Sequence, residues 1–206
     1  LFYSQASFLK ESSLLISKLK KMNSKQVQFM MHLSEDLAIL NTHRFKSWIE
    51  PVNQSDEVMQ AVFAFNGEVY KGFDASTLTI NELERAQASV RILSGLYGIL
   101  KPMDLIYPYR LEMGTKWVIS TKHKSLYQFW GKKLTQHLNS ELNEDEKVIN
   151  LASAEYVKVI DKKELRVPVI TPIFKEFKNG KYSVVMMYAK LARGKMARHI
   201  IRENIT

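Results

Sequence analysis

The sequence predicts an α+β fold, a single domain with a mixed sheet flanked by helices. Three observations carry this. Helical stripes and strand-like runs alternate along the whole chain, and they obey no regular β-α-β repeat. No long glycine-rich phosphate loop accompanies them. The clearest hairpin, VPVITPIFKEF and KYSVVMMY about Asn179-Gly180, comes late and leads into a basic helix.

Size and composition are consistent with this. A chain of 206 residues, 46% hydrophobic and 25% charged, matches one ordinary domain with a proper core. No apolar run nears the roughly 18 residues that cross a bilayer, and no signal-peptide pattern opens the chain, so no membrane partner is expected. The absence of cysteine excludes disulfides, thiolate zinc sites and cysteine nucleophiles, and fits a reducing compartment. His32, His43, His123, His137 and His199 form no i, i+4 pair, so neither a metal site nor a cofactor is expected. The net charge of +9 points to nucleic acid, acidic lipid or another polyanion.

In chain order, residues 7–22 read as a helix with Phe8, Leu15, Leu19 and Met22 on one stripe and the lysines 18, 20 and 21 mostly off it. A second helix starts after Ser24 with Met30, Leu33, Leu37 and Leu40 inward, and Asn41 or Thr42 caps a short turn carrying Phe45 and Trp48. Pro51 to Ser55 is a link. AVFAF and EVYKGF flank Asn66-Gly67, a bend that projects Tyr70 and Lys71. Thr79 and Glu82 form a capping box ahead of Leu83, Ala86, Val90 and Leu93, and Gly95 is placed to end that helix. Ser125 caps a helix with Leu126, Trp130, Leu134 and Leu138 in line. Val148 to Leu151 reads as a short strand, and Ser153 to Tyr156 as a turn or helix start. Pro168 and Pro172 make the first strand of the late hairpin an edge or bulged one.

The stretch at 91–116, RILSGLYGILKPMDLIYPYRLEMGTK, combines turn residues, tyrosines and charges too densely for a plain helix or strand. It reads as a helix, a glycine hairpin and an extended segment. Exposed N–H groups at such a hairpin can hold an anion, although a helix stop alone also accounts for the glycines. In the extended part, Arg110 and Glu112 share a face, as an ion pair, a phosphate clamp or an acid-base pair. On a helix at about 189–204, Lys195, Arg198 and Arg202 share one ridge, and Lys190 and Arg193 form a second. A solvated basic face is the bland alternative.

The run LSGLYGILKPMDLIYPYRLEMG resembles the signature of the YaaA peroxide-stress family, long catalogued as of unknown function. AFNGEVYKGF, LYQFWG, VINLASAEYVK and YAKLARGKMARHII support the resemblance in family order. It implies a bacterial cytoplasmic protein that protects against hydrogen peroxide and iron-driven damage, hence a link to iron homeostasis, and binds DNA through a helix-hairpin-helix-like element. Family members open with a strand and an S-P-A-K segment and close with a tail holding a glycine-tyrosine pair. Neither occurs here, so 1–206 reads as a single YaaA-like domain truncated at both ends. The helix-hairpin-helix match is partial, because its glycines usually stand two apart and Gly95 and Gly98 stand three apart.

Two functions are consistent with these features. In the first, the partner is duplex or distorted DNA: the hairpin of Ser94, Gly95 and Gly98, with Lys101 and Arg110, grips phosphates, and Lys190, Arg193, Lys195 and Arg198 extend the track. In the second, an enzyme acts on a phosphorylated or nucleotide-like small molecule in a pocket where Arg110, Glu112, Lys190 and Arg193 converge. Tyr70, Lys71, Tyr97 and Glu112 are its further pocket candidates.

Overall fold

The computed structural model describes residues 1–205, the side chain of Lys178 excepted. Its N-terminal third is a layer of helices. In α1 (Leu9–Leu19) the stripe Ser12, Leu15, Ile16 and Leu19 is buried. Helix α2 (Ser24–Met31) opens with an Asn23–Gln26 capping box and stops where His32 turns left-handed. Ser34 then caps α3 (Glu35–Ser47), with Glu35 and Asp36 in its first turn. The helix expected to run from Ser24 past Leu40 is therefore two. A serine ahead of two acids is a strong start signal, and the new register buries Ala38, Asn41, Thr42 and Phe45 while Leu37 and Leu40 face solvent. Asn41 caps nothing. It lies within α3 and donates to the Leu37 carbonyl at 2.8 Å.

Strand β1 (Met59–Gln60) leads into α4 (Ala61–Ala64) and α5 (Glu68–Phe73). The bend expected at Asn66-Gly67 is a helix start, with Gly67 as N-cap, Glu68 in the first turn and Lys71 in the last. Helix α6 (Ile80–Ser89) opens on the expected Thr79–Glu82 capping box. It stops at Ser89 and does not run to Gly95. Arg91 folds back to donate to the carbonyls of Gln87, Ala88 and Val90, and Val90 and Ile92 favour extended backbone. The chain then turns through a β-hairpin, β2 (Ile92–Ser94) antiparallel to β3 (Gly98–Leu100), in register Ile92↔Leu100 and Ser94↔Gly98. Gly98, not Gly95, takes the positive φ of 73°. The expected helix-hairpin-helix is thus a helix and a β-hairpin.

Strand β4 (Leu105–Ile106) pairs antiparallel with β1. The helix expected after Ser125 breaks at Gly131 into α7 (Leu126–Trp130) and α8 (Lys133–Glu141). Strand β5 (Val148–Ile149) runs parallel to β6 (Val169–Ile170), and Ser153 caps α9 (Ala154–Val157) between them. The Asn179-Gly180 turn forms as expected, with φ of 53° and 75°, but the hairpin is short, β7 (Glu176–Lys178) with β8 (Lys181–Ser183): the prolines break the expected first strand, and its start, β6, belongs to the ladder with β5. Helix α10 (Met186–Arg202) begins inside the run expected as the second strand. Among the described residues the strands make four separate two-stranded ladders, three antiparallel and one parallel, rather than one mixed sheet. The fold remains one α+β domain.

The main core gathers Leu15, Phe45, Trp48, Leu96, Tyr97 and Trp130. A smaller core, with Phe73, Leu83, Met103 and Ile201, lies where α5, α6 and α10 meet. Its closest approach is glycine on backbone. A Cβ on Gly194 would stand 1.8 Å from the Val69 carbonyl oxygen, and one on Gly72 would stand 2.2 Å from that of Leu191. Gly194→Ala therefore lowers stability by about 2 kcal/mol despite alanine's better helix propensity. In a thermal melt this is a fall in Tm of about 4–8 °C. An unchanged Tm would contradict the close crossing.

Candidate functional site

The β2–β3 hairpin is the structural centre of the site, and it is buried from Ser94 to Leu100. Gly95 is seated on the extended segment 107–113, since a Cβ there would meet the Leu111 carbonyl oxygen at 2.2 Å. Its own carbonyl accepts from Trp130 Nε1 at 3.0 Å. Gly98 faces the Trp130 ring, 2.8 Å from where its Cβ would be. Hairpin N–H groups that face the core cannot reach an external phosphate. The expectation that Gly95 and Gly98 grip DNA is corrected by this burial: the glycines are there for packing.

The same hairpin gathers hydroxyls. Ser94 Oγ accepts from the Tyr97 N–H at 2.8 Å and bonds the hydroxyl of Tyr109. The Tyr97 hydroxyl accepts from Trp48 Nε1 at 2.9 Å and from the Tyr107 N–H at 3.1 Å. Tyr109 stands edge-on to Tyr97, with centroids 5.4 Å apart, and to Phe65, which stacks on Tyr70. Burial raises the pKa of Tyr70, Tyr97 and Tyr109, and that of Tyr156 reaches about 12, so all four remain neutral phenols at physiological pH. Beyond burial, the nearby Tyr156 phenol raises both Tyr70 and Tyr109. The structure thus joins the expected Tyr70, Tyr97 and Ser94 to Tyr109 and Tyr156, which sequence reasoning missed. Tyr109 is visible in YPYRLE, where the charges are the louder signal. Tyr156 comes from α9, more than forty positions downstream, and no local spacing could announce it.

At the rim, Arg110 and Glu112 form an ion pair at 2.8 Å, both about half exposed. In solvent such a pair contributes little. Beside it, Glu155 accepts from the Gly114 N–H at 2.8 Å, Tyr127 donates to the Glu155 carbonyl, and Lys158 lies 5.0 Å over the Tyr127 ring. Lys71 is paired with Glu68 at 2.6 Å. Lys101 lies 2.7 Å from Glu141, which also accepts from Arg91 at 2.8 Å with His137 nearby. This network ties α8 to the α6–β2 junction. Among the described residues, no group of three or more histidines and carboxylates is placed to hold a metal ion, and no helix is long and apolar enough to cross a membrane.

On α10 the five expected cations divide by role. Arg198 donates to the carbonyls of Phe73 and Asp74 at 2.8 and 2.7 Å and to Thr77 Oγ1 at 2.6 Å, closing the end of α5. Arg202 pairs with Glu82 at 3.2 Å. Lys190, Arg193 and Lys195 have no ion-pair partner among the described residues, and Lys190 and Lys195 are exposed.

Known proteins resemble this chain over nearly its whole length. The family model described as peroxide stress protein YaaA matches residues 2–206. A UPF0246 protein of Shewanella sp. (strain W3-18-1) is 49% identical over 205 residues, 98% of this chain and 79% of that protein. UPF0246 proteins of Pseudoalteromonas translucida and Neisseria gonorrhoeae are 47% and 46% identical over 206 residues, 99% of this chain and 79% of each.

The Glu141 network has a pH signature. Burial raises the pKa of this carboxyl, but hydrogen bonds from Lys101 and Arg91 outweigh it and hold the group below its usual 4.5. A lowered folded pKa stabilises the fold above the unfolded value, and that contribution is lost as the pH falls through the folded one. Glu141→Gln should cost about 1–3 kcal/mol at pH 7. The difference from the parent should shrink in urea melts below about pH 4.5. A difference constant from pH 7 to 3 would contradict this.

Proposed function

The chain belongs to the YaaA peroxide-stress protein family, and we propose that it serves that stress role by binding DNA through the free cations of α10. The observation that supports this is the division of roles on that helix. Arg198 and Arg202 are occupied by the fold, whereas Lys190, Arg193 and Lys195 have no ion-pair partner among the described residues, and Lys190 and Lys195 are exposed, on a chain of net charge +9. Cations with no internal task neutralise phosphates at little cost in reorganisation, and each contact releases condensed counterions. Where a released counterion is a redox-active metal, hydroxyl-radical chemistry leaves the bases with it. DNA as partner makes the cytoplasm the compartment of action.

One observation favours a second reading. The neutral phenols of Tyr70, Tyr109 and Tyr156 lie near one another, with Arg110 near Tyr156, an arrangement suited to orienting a small phosphorylated or nucleotide-like substrate. A nucleotide that raised the melting temperature in a thermal-shift screen, with the shift lost in Arg110→Ala, would favour this reading over DNA.

Anisotropy titrations of labelled duplex across a salt series test the first reading. Replacing Lys190, Arg193 and Lys195 with alanine should reduce the slope of log K against log salt by about 2–3. Arg198→Ala should instead lower the Tm and leave the slope in place. A triple variant with the parental slope would remove α10 from the interface.

A further inference from the structure

The β7–β8 hairpin carries an aromatic surface that the fold does not use. Phe177 and Tyr182 are direct cross-strand partners and so share one face of the ribbon, with centroids 5.0 Å apart at 54°. They are 63% and 69% exposed. Every residue of β8 faces solvent. Three residues beyond β8 the chain enters α10, where Met187 and Tyr188 are also exposed and Lys190 comes next among the cations. Lys175 and Lys181 flank the pair, against the single carboxylate of Glu176.

A two-stranded ribbon is marginal in water, and exposing two large rings on it adds no folding energy. Rings interleaved with lysines match a specific chemistry. Unpaired bases stack on aromatic faces while cations track the backbone, and the stacking is sequence-tolerant because every base has a π-face. The two rings touch each other, yet both side chains keep most of their surface open to solvent. The cationic balance of the hairpin complements a polyanion and disfavours a second copy of this basic chain.

We propose that the β7–β8 hairpin is a stacking platform for unpaired bases, through Phe177 and Tyr182, so that this protein prefers single-stranded or opened DNA over closed duplex. This rests on the reading of α10 as a DNA contact and adds the form of DNA recognised. The adjoining helix supplies cations for phosphates in either form, and the hairpin discriminates between them.

The test is anisotropy on a single-stranded oligonucleotide and on its duplex, at one salt concentration. Phe177→Ala and Tyr182→Ala should each weaken single-strand binding about tenfold. Duplex binding should stay within about twofold, and Tyr182→Phe should behave as the parent. Phe177→Trp adds a direct readout: Trp48, Trp117 and Trp130 are buried, so quenching gained over the parent reports a base on position 177. Unchanged single-strand binding in both alanine variants, or equal loss on both DNA forms, would overturn the platform. If the α10 triple variant then still loses DNA, the reading of α10 stands and only the hairpin fails. If the parent binds neither form, both fail. Aromatic-dependent binding to phosphatidylglycerol vesicles, with single-strand affinity unchanged, would assign the hairpin to a membrane surface instead.

Discussion

The contact of Gly95 with the Leu111 carbonyl brings the parts of the main core into register. It lets two stretches of backbone lie against each other with no side chain between them, and the carbonyl of the same residue takes the Trp130 indole. From that point Tyr97 reaches Trp48 on one side and the Tyr107 backbone on the other. An N-terminal helix, a central hairpin, an extended segment and a later helix meet through these few bonds. Any side chain at position 95 would separate the first pair and unseat the others, because close-packed interiors transmit displacement rather than absorb it.

The second core obeys the same rule with two glycines, and it accounts for the distribution of charge on α10. With Gly194 and Gly72 in the crossing, the helix lies close enough for Arg198 to satisfy carbonyls at the end of α5. Close packing therefore commits Arg198 to structure, while Lys190 and Lys195 on the same helix stay in solvent. The net charge alone treats all five cations alike.

Much of this is legible in the sequence because it is local. The Thr79–Glu82 capping box, the Ser125 cap and the Asn179-Gly180 turn form as expected, and Leu15 and Leu19 of the expected first stripe are buried on α1, since each depends on neighbours within a turn or two. The departures are of two kinds. Apolar spacing continues across His32 and Gly131 and so overstates the helices at 24–40 and 125–138, although a positive-φ residue ends the first helix of each pair. The glycines at 95 and 98 resemble a ligand-facing turn, but what they accommodate, Leu111 and Trp130, lies elsewhere in the chain. The hydroxyl cluster is half visible for the same reason: Ser94, Tyr97 and Tyr109 are close in sequence, whereas Tyr70 and Tyr156 arrive through tertiary packing that no spacing encodes.

The crossing of α5 and α10 also sets an order of events during synthesis. The bonds from Arg198 to Phe73 and Asp74 span about 125 positions, and α5 has only six residues of its own. A helix that short has no independent stability, so its glycine-lined face waits open until its partner has been made. At roughly 5–20 residues per second, that wait lasts on the order of ten seconds in every round of translation. For that interval the nascent chain leaves Phe73 and Leu83 without the α10 side of their core, open to chaperones and proteases.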